Sequence, residues 1–372
     1  MYVRDARTRM PIFYGGFDPG SGNATLSVVP SDGIEHEINV HTIPSIVSEG
    51  DVSQILKRGI TPDTPLAQVL HEKEYVLNLH DVDYYLGDLI KEGRKGRGTS
   101  AIGDQNRYWS DHSRILLLTL AASMIPERSF ELRIVTALPV SLYTNENRKK
   151  VKSALENVYR FLFNGVQREV LVKVGYVGAE GQGVLVHCGD DSSEQVIFDI
   201  GERTFDLVVA EGQRMILSRC KGDEFGVGQL FDDLVAFGKA RKVNLERKAH
   251  GLLRAYANNQ VIPAVSSISG EDIAQEISDS IKRAGRTLKN FISQNLADDG
   301  EEMAAQFDRV YLAGGGAYYF EETIREFIDP HKVKVVEHAE VASALGYTDI
   351  AVSLHEKKAD IWELAYHGIE TR

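Results

Sequence analysis

The chain has 372 residues, 54 acidic against 42 basic side chains, a formal net charge of −12 and 43% hydrophobic residues. That length holds two domains of ordinary size, each with its own core, and the acidic balance argues against a chain-wide grip on DNA, so any DNA contact is expected through an adaptor protein. Cys188 and Cys220 are too few for a disulfide framework or a zinc site, no apolar run approaches a membrane span, and MYVRDARTRM lacks the apolar stretch of a signal peptide; the expectation is a cytoplasmic protein without membrane contact.

In chain order, Ile12–Val29 reads as a strand, a turn and a strand, and Glu37–Val47 as a further extended piece. A polar, proline-bearing stretch follows from Ser48 to Pro65, and KEGRKGR at Lys91–Arg97 reads as a solvated basic loop. Ile115–Met124 is apolar on nearly every face and predicts a buried helix. Leu132–Val140 predicts an inner strand. The basic run Arg148–Lys152 opens a predicted helix whose apolar stripe takes in Val151, Leu155, Val158 and Leu162. Glu169–Val177, Gly183–Val186 and Gln195–Ile200 read as extended pieces. Ser269–Asp272 has the form of a capping box, after which Ile273, Ile277, Ile281, Leu288 and Ile292 recur near helical spacing. Val310–Ala313 predicts a strand leading into Gly314–Gly316 and a helical run from Tyr319 to Phe327. The apolar patch at Ile361, Trp362, Leu364 and Ala365 is too short and too acidic in its flanks for a membrane anchor.

One feature occurs twice. FDPGSGN at Phe17–Asn23 and FDIGERTFD at Phe198–Asp206 each place an Asp two residues before a Gly where a strand turns back. Consecutive backbone amides in such a turn form a concave anion-binding nest, and the neighbouring carboxylate can orient Mg²⁺ through its water shell. Two such turns facing each other would clamp a triphosphate. Taken singly, each Asp has a structural alternative as an Asx residue capping its own turn. The strand–GGG–helix element at 310–327 suits close approach of a nucleotide, or a tight strand-to-helix turn. There is no P-loop sequence, and the histidines lack metal-ligand spacing.

The order of two phosphate turns and a glycine-rich turn resembles the actin-like ATPase superfamily. Within it the chain is most similar to plasmid-segregating actins of the ParM/StbA type, through TALPV at Thr136–Val140, AEGQG at Ala179–Gly183, GDEFGVG at Gly222–Gly228 and ASALG at Ala342–Gly346. The resemblance implies an α/β, two-lobed, ribonuclease H-like ATPase fold with the nucleotide in the interlobe cleft. Residues 1–193 completed by 342–372 would form lobe I, and 194–341 lobe II. It implies ATP or GTP as the nucleotide, Mg²⁺ held by Asp18 and Asp199, and a filament built by self-association that segregates plasmid DNA through an adaptor. A small-molecule kinase of the same superfamily and a cytoskeletal actin with another task are the alternative functions.

Residue by residue, Asp18, Gly20, Ser21, Gly22 and Asn23 match the first phosphate turn, and Gly201, Glu202, Arg203 and Thr204 the second. The family's second turn is richer in glycine, but backbone amides can hold a phosphate with the Glu202 and Arg203 side chains turned away. Gly226 and Gly228 match a glycine pair near the nucleotide, and Gly314, Gly315 and Gly316 the ribose and α-phosphate turn. Glu180, otherwise a solvated loop acid, matches the residue that positions or deprotonates the attacking water; Asp199 joins it in catalysis, and Gln182 is the fallback that orients water without acting as a base. Asp206 is expected to stabilise its turn. Glu246, Arg247 and Lys248 lie where relatives recruit ribose contacts, and equally suit a charged helix face.

Overall fold

The structure, a computed structural model, describes residues 10–32, 38–50, 65–92, 98–100, 105–188, 194–296 and 307–357. The chain divides into two compact units. Unit 1 comprises Met1–Leu138, Leu142–Ala179 and Ala344–Arg372, and unit 2 comprises Pro139–Ser141 and Glu180–Ser343.

Unit 1 is built on a ten-stranded mixed sheet. Its strands are β1 (Ile12–Asp18), β2 (Asn23–Pro30), β3 (Asn39–Pro44), β4 (Ile46–Glu49), β5 (Glu74–Leu79), β6 (Val82–Gly87), β7 (Gly98–Ser100), β8 (Ser129–Leu138), β9 (Asn157–Phe163) and β10 (Val166–Ala179), with helices α1 (Leu89–Glu92), α2 (Asp111–Met124) and α3 (Asn145–Leu155). The spatial order is β3-β2-β1-β8-β10-β9-β5-β6-β4-β7, with β1, β8 and β10 parallel at the centre. Successive side chains of a strand point to opposite faces. Phe17 therefore shares a core with Leu116, Leu117, Leu120 and Leu132 of α2 and β8, while Tyr14 meets Tyr347 and Ala351 on the other face. Truncating a fully buried leucine such as Leu117 costs about 2–5 kcal/mol by removing its contacts and leaving a void. Ser27 Oγ of β2 donates to the Ala344 carbonyl at 2.6 Å and bonds Thr348 Oγ1, fixing the C-terminal helix on the sheet.

Unit 2 carries a six-stranded sheet in the order β13-β12-β11-β15-β16, with β14 also on β12. Its elements are α4 (Gln182–Cys188), β11 (Glu194–Ile200), β12 (Phe205–Glu211), β13 (Arg214–Met215), β14 (Lys221–Asp223), α5 (Gly228–Ala240), α6 (Ala249–Ala257), α7 (Gly270–Leu296), β15 (Arg309–Ala313), α8 (Ala317–Arg325) and β16 (Val333–Val335). Helix α9 (Ala342–Lys357) begins in unit 2 and continues in unit 1, the chain passing between them at Ser343–Ala344. Ser269 caps α7, its Oγ accepting from the Asp272 amide at 3.0 Å. The helix then buries Ile273, Ile277, Leu288 and Ile292 against a core that includes Phe198, Phe205, Leu207 and Phe320.

Three sequence readings change. The helix opening at Arg148–Lys152 ends at Leu155, because Glu156 turns extended and β9 follows. Its Val158 and Leu162 belong to that strand, where Tyr159, Phe161 and Phe163 point inward and Leu162 is 43% exposed. Spacings of three and four residues fitted a helix, but the β-branched and aromatic alternation of NVYRFLF fits a half-buried strand better. Second, Gly183–Val186 lies in α4 rather than an extended piece: Gly181, at φ +81°, breaks from β10, and the Leu185 amide closes a helical turn on the Gly181 carbonyl at 2.9 Å. Third, after a short excursion into unit 2 at Pro139–Ser141, the main crossing expected at 194 falls between Ala179 and Glu180, and the return expected at 342 falls between Ser343 and Ala344. Val184 and Leu185 of α4 are fully buried in the unit 2 core, which draws Glu180 into that unit. The N-terminal MYVRDARTR run, most of Ser48–Pro65 and Lys91–Arg97, and the 361–365 patch lie outside the described residues.

Candidate functional site

In unit 1, β1 and β2 pair as an antiparallel hairpin with Asp18 opposite Thr25, so Pro19–Gly22 form the tip. A following segment straps the tip from behind: Ser45 Oγ donates to the Gly20 carbonyl at 2.6 Å, and the Ser45 amide donates to the Gly22 carbonyl at 2.9 Å. The amides of Gly20, Ser21 and Gly22 donate to no protein acceptor among the described residues. Asp18 is half-buried at the strand end and Asn23 is exposed.

Unit 2 repeats the construction. β11 and β12 form an antiparallel hairpin with Asp199 opposite Asp206 and Ile200 opposite Phe205, leaving Gly201–Thr204 as the tip. The Gly201 amide closes the tip on the Thr204 carbonyl at 2.9 Å. The strap is the GVG segment: the Val227 amide donates to the Gly201 carbonyl at 3.0 Å, and the Gly228 amide to the Glu202 carbonyl at 2.7 Å. Gly226 must lack a side chain here, because a Cβ would come within 2.5 Å of both the Gly201 and Glu202 carbonyl oxygens. The amides of Glu202, Arg203 and Thr204 again donate to no protein acceptor among the described residues. Arg203 Nη1 is drawn to Asp232 of α5 at 3.0 Å, which explains how the tip accommodates a long cationic side chain. Both tips thus have at least two of their carbonyls bonded and three consecutive amides open, the arrangement of an anion nest.

The glycine turn joins the second hairpin. The Gly316 amide donates to the Ile200 carbonyl at 2.8 Å, and Gly314, at φ +74°, lies flush against Ile200 and the Asp199 carboxylate. Gly315 is exposed, with nothing within 4 Å of the place its Cβ would take. Ser343 Oγ donates to Asp199 Oδ2 at 3.1 Å.

Asp206, opposite Asp199, is 1% exposed. Its Oδ1 accepts from the Val140 amide at 3.0 Å, and its carboxyl also hydrogen-bonds the Glu180 side chain. Burial pushes its pKa up to about 6; the bonds to Glu180 and the Val140 amide pull it down, and the Asp199 charge adds to the rise. Val140 and Glu180, from separate segments of unit 2, thus meet at the same carboxyl.

The structure therefore gathers Glu180, Asp199, Gly201–Thr204, Gly226, Gly228 and Gly314–Gly316 in unit 2, with Gln182 opening α4 two residues beyond Glu180, and carries Asp18–Asn23 in unit 1. Gly226 and Gly228 support the second tip from behind. Glu246, Arg247 and Lys248 are exposed residues ahead of α6. Sequence reasoning missed Ser45 and Ser343, whose small side chains carry no signal of their own, and the bond between Asp206 and Glu180, which joins residues from separate strands.

The family model for the N-terminal domain of actin-like proteins matches residues 16–183, and that for the C-terminal domain of archaeal MreB-like actin homologues matches residues 197–326. Among solved structures, the archaeal actin homologue Ta0583 is similar at TM-score 0.69 and 19% identity, over 94% of this chain and 100% of that one. A subunit of a 15-stranded ParM filament from Clostridium botulinum is similar at TM-score 0.68 and 16% identity, over 93% and 100%. ParM of Bacillus thuringiensis with ATP is similar at TM-score 0.63 and 13% identity, over 93% and 100%. No curated protein sequence matches the chain. Fold and paired hairpins define a two-domain actin-like protein. At these identities the ParM and Ta0583 structures share the two-domain actin-like fold of this chain.

Proposed function

We propose that the chain is a filament-forming, Mg²⁺-dependent ATPase of the cytoplasm whose hydrolysis times polymer assembly and collapse, serving plasmid segregation through a DNA-binding adaptor. The observation that carries this reading is the pair of hairpin tips with three open amides each, the second standing beside Asp199, Glu180 and a glycine turn. ATP in the B. thuringiensis ParM and the filament formed by the C. botulinum ParM support it.

In this reading the amides of Gly20–Gly22 and Glu202–Thr204 hold phosphate oxygens, and Gly314–Gly316 lie against the ribose and α-phosphate. Asp18 and Asp199 offer the hard oxygen donors Mg²⁺ prefers. Held there, Mg²⁺ would neutralise phosphate charge. Glu180 orients and deprotonates the attacking water, with Gln182 as the fallback for orientation. Phosphoryl transfer is chiefly positioning and charge stabilisation, so these few groups suffice. Among the described residues no helix is long and apolar enough to cross a membrane.

The test is sedimentation with ATP, GTP, ADP or no nucleotide, each with Mg²⁺ or a chelator, followed by electron microscopy of the pellet and phosphate release from the same sample. Filaments are expected only with a triphosphate and Mg²⁺. A protein that stays soluble throughout and phosphorylates an added sugar is a small-molecule kinase instead.

A further inference from the structure

Ser343 is a small polar residue in an apolar setting. It is 7% exposed, between Ala342 and Ala344, which are fully buried. It stands second in α9, and the carbonyl of the next residue, Ala344, is held by Ser27 Oγ at 2.6 Å, so the helix and its anchor fix the Ser343 backbone. A buried hydroxyl needs a partner. Here the partner is a carboxylate, Asp199 Oδ2 at 3.1 Å, 144 residues away in the chain.

The backbone brings the two together. Asp199 of β11 pairs with Ala313 at the end of β15, and the Gly314 amide that follows donates to the Ala339 carbonyl at 2.8 Å. His338, at φ +54°, turns the chain there, the Val341 amide closing on its carbonyl at 2.9 Å, and α9 begins at the next residue. Gly314 touches the acid directly, since a Cβ there would stand 2.8 Å from Asp199 Oδ1. One carboxylate oxygen therefore lies against bare backbone while the other accepts from Ser343.

We infer that Ser343 is a positioning residue for Asp199: its hydroxyl sets the plane of the carboxylate, and with it the direction in which Asp199 offers its other lone pairs to Mg²⁺ or to the water around it. This deepens the reading of Asp199 as an acid that holds Mg²⁺, and rests on it. The terminal torsion of an aspartate is broad and roughly two-fold, so a half-buried Asp199 without a donor would present its oxygens in many planes. An ionised carboxylate has about four lone-pair sites, and a hydroxyl that takes one leaves others for the ion. Outer partners of this kind are worth on the order of 10–100-fold in metal affinity. Alanine at 343 deletes the hydroxyl alone, matches both neighbours and is the better helix former, so the fold is expected to survive.

The experiment measures the affinity of the full chain for a non-hydrolysable ATP analogue by calorimetry, once with saturating Mg²⁺ and once with a chelator. The proteins are the wild type, Ser343→Ala, Asp199→Ala and the double variant. Ser343→Ala is expected to lose roughly tenfold in affinity with Mg²⁺ and to stay within about threefold of the wild type in chelator, a split that a role in folding alone would not produce. In the Asp199→Ala background the change at Ser343 should cost nothing more, since the hydroxyl acts through that carboxylate. Wild-type affinity with Mg²⁺ in Ser343→Ala, alongside a loss in Asp199→Ala, would overturn the inference and leave Asp199 in its role. An equal loss in chelator, or losses that multiply in the double variant, would also overturn it. Wild-type affinity with Mg²⁺ in Asp199→Ala removes that acid from the ion, and the inference with it. A wild-type chain that binds no analogue under either condition overturns the proposed function as well.

Discussion

The two hairpins solve one problem with different residues. In unit 1 the tip Pro19–Gly22 is small and glycine-rich, and a single serine, Ser45, holds the carbonyls of Gly20 and Gly22. In unit 2 the tip carries Glu202 and Arg203, and the glycines stand instead in the strap, where Gly226 and Gly228 press against the carbonyls of Gly201 and Glu202. The open amides are the same in both. What such a turn needs is backbone shape, and the glycine that permits it can sit either in the tip or in the chain that braces it. The second difference is chemical: beside the hairpin of unit 2 stands the Glu180–Asp206 carboxyl pair.

The largest expected effect separates binding from chemistry. Glu180→Gln should retain nucleotide affinity and assemble with ATP, yet release phosphate on the order of 10²–10⁴-fold more slowly, so that its filaments outlast wild-type ones. Asp18→Ala, in the other hairpin, should instead weaken Mg²⁺–nucleotide binding itself. Phosphate release and light scattering on one sample, with affinity by nucleotide titration, check both; equal loss of affinity in the two variants would erase the division of labour.

The next effect is on stability and pH. The Asp206 carboxyl titrates near 6 in the folded chain against 3.8 for an ordinary aspartate. Its folded form favours the proton, so its contribution is fully present below about 3.8 and is lost as pH rises through about 6. At roughly 1.4 kcal/mol per unit, the contribution is at most about 3 kcal/mol. The stability advantage of the wild type over Asp206→Asn should therefore shrink between pH 4 and 7, measured by denaturant unfolding; a gap that widens would be the wrong sign.

A smaller effect tests the strap. Gly226→Ala places a methyl 2.5 Å from two carbonyl oxygens and should cost about 1–3 kcal/mol together with tenfold or more in nucleotide affinity. Gly315→Ala meets nothing within 4 Å and should leave the melting temperature of the nucleotide-free protein unchanged, weakening only nucleotide binding. The smallest effect is at Arg203, whose half-exposed ion pair with Asp232 is worth about 0–1 kcal/mol. Arg203→Ala should change nucleotide affinity by less than about threefold, and a larger loss would mean that the tip uses this side chain as well as its amides.

Much of this was legible in the sequence where information is local. Asp-x-Gly between apolar alternations set both hairpins, Ser269 and a 3.6-residue apolar period set α7, and a continuous apolar run set α2, because turn chemistry, capping and amphipathicity act over a few residues. Short apolar segments misled for the same reason: Gly183–Val186 and the stretch after Leu155 fit either regular structure until burial decides. Glu180 and Asp199 were found as separate turn acids, but their surroundings were not. The sequence by itself determined which backbone segments turn, with Asp before each tip. Only the tertiary structure decided that Gly226–Gly228 brace the second tip, that Ser343 bonds Asp199, and that Val140 and Glu180 converge on Asp206. Those contacts join residues far apart in the chain, and strand register and burial, which no local pattern encodes, select their partners.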